Sequence, residues 1–142
     1  MMQRNRLFLL LALVAAIAAC KDAEAPKRNV REPEFVRVKH VLIKAKGGRQ
    51  ENPEAFAQEI LGRAQAGEDF DALMTEFSED PGGGTYGMSN HGSAPRPGDQ
   101  PRKGMVKSFG DVSFGLEVGA IGMCVYDPQD SAHGWHIIKR IE

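Results

Sequence analysis

The chain has 142 residues, with 18 Lys and Arg against 19 Asp and Glu and a formal net charge of −1. This length allows about one domain. The near-neutral balance excludes the basic footprint of a nucleic-acid-binding protein.

In chain order, the first element is a targeting segment. Arg4 and Arg6 precede the apolar run Leu7–Ala19, which ends in small residues before Cys20. This is the pattern of a signal peptide over residues 1–19, and the run is shorter than the roughly 20 residues a membrane span needs. Ile17-Ala18-Ala19-Cys20 resembles a bacterial lipobox, which implies a diacylglyceryl group on the Cys20 sulfur and cleavage before it. Lys21 follows the cysteine instead of Asp, which by the enterobacterial sorting rule implies an outer-membrane anchor facing the periplasm if the organism has two membranes. Removing residues 1–19 takes away two of the 18 basic side chains and none of the 19 acidic ones, leaving a net charge of −3. With Cys20 lipidated, Cys124 has no disulfide partner, and its apolar surroundings predict a buried packing residue. Residues 20–34 are charged, contain Pro26 and Pro33, and read as a lipidated cysteine followed by a flexible tether. The folded domain is therefore expected at 35–142.

Phe35–Lys44 predicts a strand with Val36, Val38, His40 and Leu42 on one face. A polar loop leads to Pro53, well placed in a first helical turn. The helix is expected to run to about Ala66, with Ala57, Ile60, Leu61 and Ala64 as its apolar stripe. Gly67 stops it. A second helix is expected over Asp69–Phe77 with Asp69 as N-cap. Residues 78–84 turn the chain into a short strand at Thr85–Met88. Residues 89–104 read as a long, proline-bearing surface loop, a type that is often functional or mobile. Met105, Phe109, Val112 and Leu116 share one face of a third helix, ended by Gly119. Ala120–Tyr126 and Gly134–Ile141 read as strands separated by a turn at Asp127–Ser131. The element order predicts an α+β fold in which helices layer a sheet and the first and last strands are central neighbours. In that arrangement His40 and His136, each inside an apolar run, satisfy one another's polar atoms.

These segments together resemble the parvulin family of peptidyl-prolyl cis/trans isomerases. His40 stands at the family's first-strand histidine. Phe77-Ser78-Glu79-Asp80 is similar to its F-S-x-D/C segment, Gly83-Gly84-Thr85-Tyr86-Gly87 to G-G-D-L-G, Met105-Val106-Lys107-Ser108-Phe109 to M-V-x-x-F, and Gly134-Trp135-His136-Ile137-Ile138 to G-Y/W-H-I-I. The resemblance implies a four-stranded, mostly antiparallel sheet with about four helices around it. It also implies His40, Asp80 and His136 as catalytic residues, with Ser131 as candidate hydroxyl, because His133 stands where a Ser or Thr often does. Met105, Phe109, Tyr86 and Phe114 are the implied proline-binding residues. Three departures stand out: Thr85-Tyr86 in place of Asp-Leu, the long 89–104 loop, and His133.

The implied reaction is rotation about an X–Pro bond, which requires only tighter binding of the twisted amide than of either planar form. No cofactor is implied. No metal is expected either, because a strand would put His133 and His136 on opposite faces and no Cys or carboxylate cluster completes a site with His91. The implied partners are proline-containing polypeptides, exported or at the cell envelope, met by a lipid-anchored monomer. A non-catalytic chaperone or peptide-binding module is the alternative. Arg96, Arg102 and Lys103 in the long loop either favour acidic residues before proline or merely solubilise the loop.

Overall fold

Alternation in the first strand explains the layering of the molecule. In a computed structural model, which describes residues 31–142, strand β1 (Phe35–Lys44) is followed by α1 (Pro53–Gln65), α2 (Phe70–Phe77), β2 (Thr85–Ser89), β3 (Gln100–Pro101), a 3-10 turn (Arg102–Gly104), α3 (Lys107–Gly115), β4 (Ile121–Cys124) and β5 (Gly134–Arg140). The signal-peptide reading, Cys20 and the tether up to residue 30 lie outside the described residues. The sheet order is β3-β2-β1-β5-β4. β1 and β5 are central and antiparallel, pairing His40 with Ile138 and Leu42 with His136.

Odd and even positions of β1 feed two cores. Val41 and Ile43 pack with Trp135 and Ile137 of β5 against Ala57, Ile60 and Ala64 of α1 and Phe70 and Leu73 of α2. Val36 and Val38 pack with Met88, Ile138 and Cys124 against Phe109 and Phe114 of α3. Because helices cover both faces, the second half of β1 is buried at every position from His40 to Ile43. The helix starts follow their caps. The Asn52 side chain accepts from the Ala55 amide at 3.3 Å with Pro53 in the first turn, and Asp69 accepts from the Ala72 amide at 2.7 Å.

Among the described residues the structure departs from the expected counts: the sheet has five strands, not four, and there are three α-helices and a 3-10 turn, not four helices. The added strand is Gln100–Pro101, running parallel to β2 with Gln100 opposite Met88. Two residues, one of them proline, carry no period to read. α3 starts two residues later than Met105, because the Met105 amide closes the 3-10 turn on the Arg102 carbonyl at 3.1 Å and Val106 is extended. Leu116 is likewise extended and ends the helix.

The 89–104 segment is tied down. Arg96 donates to Asp99 at 2.8 Å and to Glu142 at 2.7 Å, and Arg102 donates to Glu32 at 2.6 Å and Asp111 at 2.8 Å. Asn90 bonds to the Pro33 carbonyl and the Glu34 carbonyl at 2.9 and 2.8 Å. Glu32–Glu34, read from sequence as the end of the tether, are thus held against this loop. Two of the three loop cations that stood as candidates for reading acidic substrates are committed to these carboxylates.

Candidate active site

The pairing of β1 with β5 places His40 and His136 diagonally on the sheet face that α3 covers. Their ring centroids are 5.1 Å apart at an interplanar angle of 67°. The rings meet by edge and face, and no nitrogen of either ring makes a hydrogen bond among the described residues. The expectation that the two imidazoles satisfy each other is therefore not met. The strands pair as expected, but the diagonal offset turns the rings out of hydrogen-bonding alignment.

Phe109 fills the angle between them, edge-on to His40 at 5.1 Å and to His136 at 5.3 Å. Tyr86, opposite Val38 on β2, lies nearly parallel to the His40 ring at 5.5 Å and 8°. Asp80 comes from the turn after α2. Its Oδ2 lies 3.4 Å from His40 Nε2 and accepts from the Tyr86 hydroxyl at 2.9 Å and the Gly84 amide at 3.2 Å, while Oδ1 accepts from the Gly82 amide at 3.1 Å.

The electrostatics follow from burial. His40 and His136 are 3% and 6% exposed. Burial lowers His40 to about 4, with the Asp80 charge pulling the other way. Burial, helped by His40 and His133, lowers His136 to about 3. Both rings are therefore neutral at physiological pH. Burial alone raises the Asp80 carboxyl, but the Gly82 amide, Tyr86 hydroxyl, His40 and Gly84 amide outweigh it and hold the group below its ordinary value. Burial and the adjoining carboxylate push the Tyr86 hydroxyl up to about 12.

A cavity of about 540 Å³ opens over this cluster. His40, Asp80, Tyr86, Met105, Phe109 and His136 all line it. Two of the residues expected from sequence do not. Phe114 is 2% exposed within the core of α3, with the Arg102 guanidinium 4.7 Å above its ring. Ser131 is fully buried. Its hydroxyl donates to the Gly134 carbonyl at 3.0 Å and lies 3.3 Å from Cys124 Sγ, so it braces the turn before β5. Cys124 is buried as expected, with the Ser108 hydroxyl 3.0 Å from its sulfur.

Leu42, Lys44, Gln100 and Val106 line the cavity without having been named as site residues, and so does His133, which stood only as a departure from the family pattern. Leu42 and Lys44 were readable, since they continue the His40 face at period two. Gln100 carried no signal. His133 precedes β5, so strand alternation does not govern it, and it shares the cavity with His136. Among the described residues no group of three or more His, Cys, Asp or Glu is placed to hold a metal ion.

The family profile of the PPIC-type PPIASE domain matches residues 25–142. The chain belongs to this family. Relatives include the foldase protein PrsA of Geobacillus sp., 36% identical over 91% of this chain and 42% of its own length. Foldase protein PrsA 4 of Bacillus cereus is 34% identical over 96% of this chain and 41% of its own. The chaperone SurA of Pseudomonas syringae is 33% identical over 73% of this chain and 22% of its own. The chain thus spans about two fifths of the length of the PrsA relatives. Pin from the archaeon Cenarcheaum symbiosum, a solved structure, aligns with 81% of this chain and 99% of its own at 30% identity, with a TM-score of 0.47. The PPIC-type domain here is an α+β unit whose cavity ends on two buried histidines beside a half-buried Asp–Tyr pair.

Proposed function

We propose that this domain is a peptidyl-prolyl cis/trans isomerase acting on X–Pro bonds of exported or cell-envelope polypeptides. The observation that carries the reading is the cavity itself, in which Met105 and Phe109 wall a volume that also exposes His40, His136 and Asp80. A pyrrolidine ring fits between the apolar walls. Rotation breaks amide resonance and returns the lone pair to the proline nitrogen. Each neutral imidazole has one N–H donor and one acceptor nitrogen, and none of the four nitrogens is used within the described fold. A bound X–Pro amide that reaches these buried nitrogens gives them the partners they lack, and tighter binding of its twisted form accelerates exchange without a covalent step. No cofactor takes part.

Cis/trans exchange in a panel of X–Pro peptides tests this. The protein is expected to accelerate exchange, and Met105→Ala is expected to weaken peptide binding by roughly threefold to tenfold through lost apolar contact. A second reading, a chaperone or peptide-binding module, rests on the departure at Thr85-Tyr86 and on the proline-bearing 89–104 segment. It predicts proline-dependent binding with no acceleration, a result that would remove the isomerase reading.

The proposal extends to location: residues 1–19 serve as signal peptide, and Cys20 carries a lipid that holds a monomeric domain at the cell envelope, on the outer membrane facing the periplasm if the cell has two membranes. Cells fed radiolabelled palmitate are expected to label the protein, and Cys20→Ala is expected to abolish the label. A labelled Cys20→Ala protein would refute the anchor.

A further inference from the structure

Tyr86 departs from the leucine of the resembled G-G-D-L-G segment, and its side chain makes two contacts that a leucine cannot. The hydroxyl donates to Asp80 Oδ2 at 2.9 Å. The ring lies parallel over His40 at 5.5 Å and 8°. The neighbouring Gly82 leaves room for this arrangement: a Cβ there would sit 2.3 Å from the Tyr86 hydroxyl oxygen and 3.4 Å from both Asp80 carboxylate oxygens. The Asp80 carboxylate thus has three donors, two of them backbone amides of its own turn and the third from the far side of the cavity. The third is its only side-chain donor among the described residues, and it comes from a strand of the sheet that carries the histidines.

We infer that Tyr86 is a positioning residue of this site, its hydroxyl fixing the Asp80 carboxylate beside His40 while its ring holds that imidazole in place. The inference rests on the isomerase reading for its functional consequence and on the geometry for the positioning itself. The groups that face Asp80 are His40 from β1, Tyr86 from β2 and His136 from β5, with Lys44 and His133 in the same cavity wall. Two amides and the His40 ring remain when the hydroxyl is removed. The turn itself stays bonded to β1 through Ser78, Glu79 and Gly84, but the carboxylate loses its one side-chain donor, and its charged form loses one of the bonds that offset burial.

Tyr86→Phe is the direct test, because it removes the hydroxyl and leaves the ring. Two quantities are followed across pH: the carbon-13 shift of the Asp80 carboxyl and the rate of X–Pro exchange. The carboxyl midpoint is expected to rise in the variant, and the acid limb of kcat/KM to rise with it. Activity relative to the parent then falls on the acid limb alone, by at most about tenfold for each unit by which the midpoint rises, with KM nearly unchanged. Gly82→Ala, which displaces the hydroxyl from the opposite side, is expected to reproduce both shifts. A carboxyl titration that superimposes on the parent's in both variants overturns the inference. So does a carboxyl shift that leaves the rate profile unmoved, since Asp80 would then be held by Tyr86 to no effect on the reaction. A parent protein that fails to accelerate exchange removes the isomerase reading, while the carboxyl titration still decides the positioning.

Discussion

Asp80→Asn is expected to slow X–Pro exchange by about tenfold to hundredfold while the domain stays folded. The reason lies in what the amide keeps and what it loses. It keeps the shape of the carboxylate and one acceptor oxygen, so the turn at Gly82–Gly84 retains part of its bonding. It loses the negative charge 3.4 Å from His40 Nε2 and one of the two acceptor oxygens that serve Gly82, Gly84 and Tyr86. The charge faces the cavity and is the only carboxylate lining it among the described residues. Exchange spectroscopy on a proline peptide, read beside a thermal melt, checks both halves of the expectation. A variant that turns over peptide at the parent rate would remove Asp80 from the mechanism. Phe109 is a poorer probe than its motif suggests. It is 2% exposed and central to the α3 core, so truncation to alanine costs about 3–5 kcal/mol of stability.

Acid is expected to destabilise the domain by several kcal/mol before most of its carboxylates titrate. His40 and His136 have folded-state values of about 4 and about 3, against 6.5 for an unperturbed histidine. Both shifts are downward and both come chiefly from burial, so the unfolded chain binds more protons than the folded one between those values. The stabilisation is therefore fully present above pH 6.5 and is lost as the pH falls toward 4. Each histidine contributes on the order of 3 kcal/mol across that window. Asp80, whose folded value is lowered, acts below this range: its contribution is present above 3.8 and is lost as pH falls further. Urea unfolding at pH 7.5, 6, 5 and 4.5 should show midpoints falling steadily below pH 6.5. A flat stability profile from pH 7 to pH 5 would mean that the imidazoles are not buried in their neutral form. The same neutrality matters for the chemistry, because a protonated imidazole has lost its acceptor nitrogen.

Local patterning alone determined much of this protein. β1 and β5 were legible because period-two alternation is a property of neighbouring residues, and α1 and α2 because their stripes and caps lie within a few positions of each other. The residues brought to one cavity, His40, Asp80, Tyr86, Met105, Phe109 and His136, were legible because their motifs stand in a recognisable order. What tertiary structure decided were the relations between residues distant in sequence. β3 exists only because the 89–104 segment is tied by Arg96 and Arg102 to carboxylates elsewhere in the chain, which lays two residues beside β2. Phe114 shares its helical face with apolar neighbours, yet the packing of α3 turns it into the core and away from the cavity. Ser131 is near His136 in sequence, but the turn consumes its hydroxyl. The diagonal register of β1 on β5 sets the histidines edge to face, and the height of β2 against the Asp80 turn places a tyrosine hydroxyl on a carboxylate six residues away. Periodicity specifies which face a side chain takes. Which partner waits on that face depends on register and packing, and these are set only when the whole sheet forms.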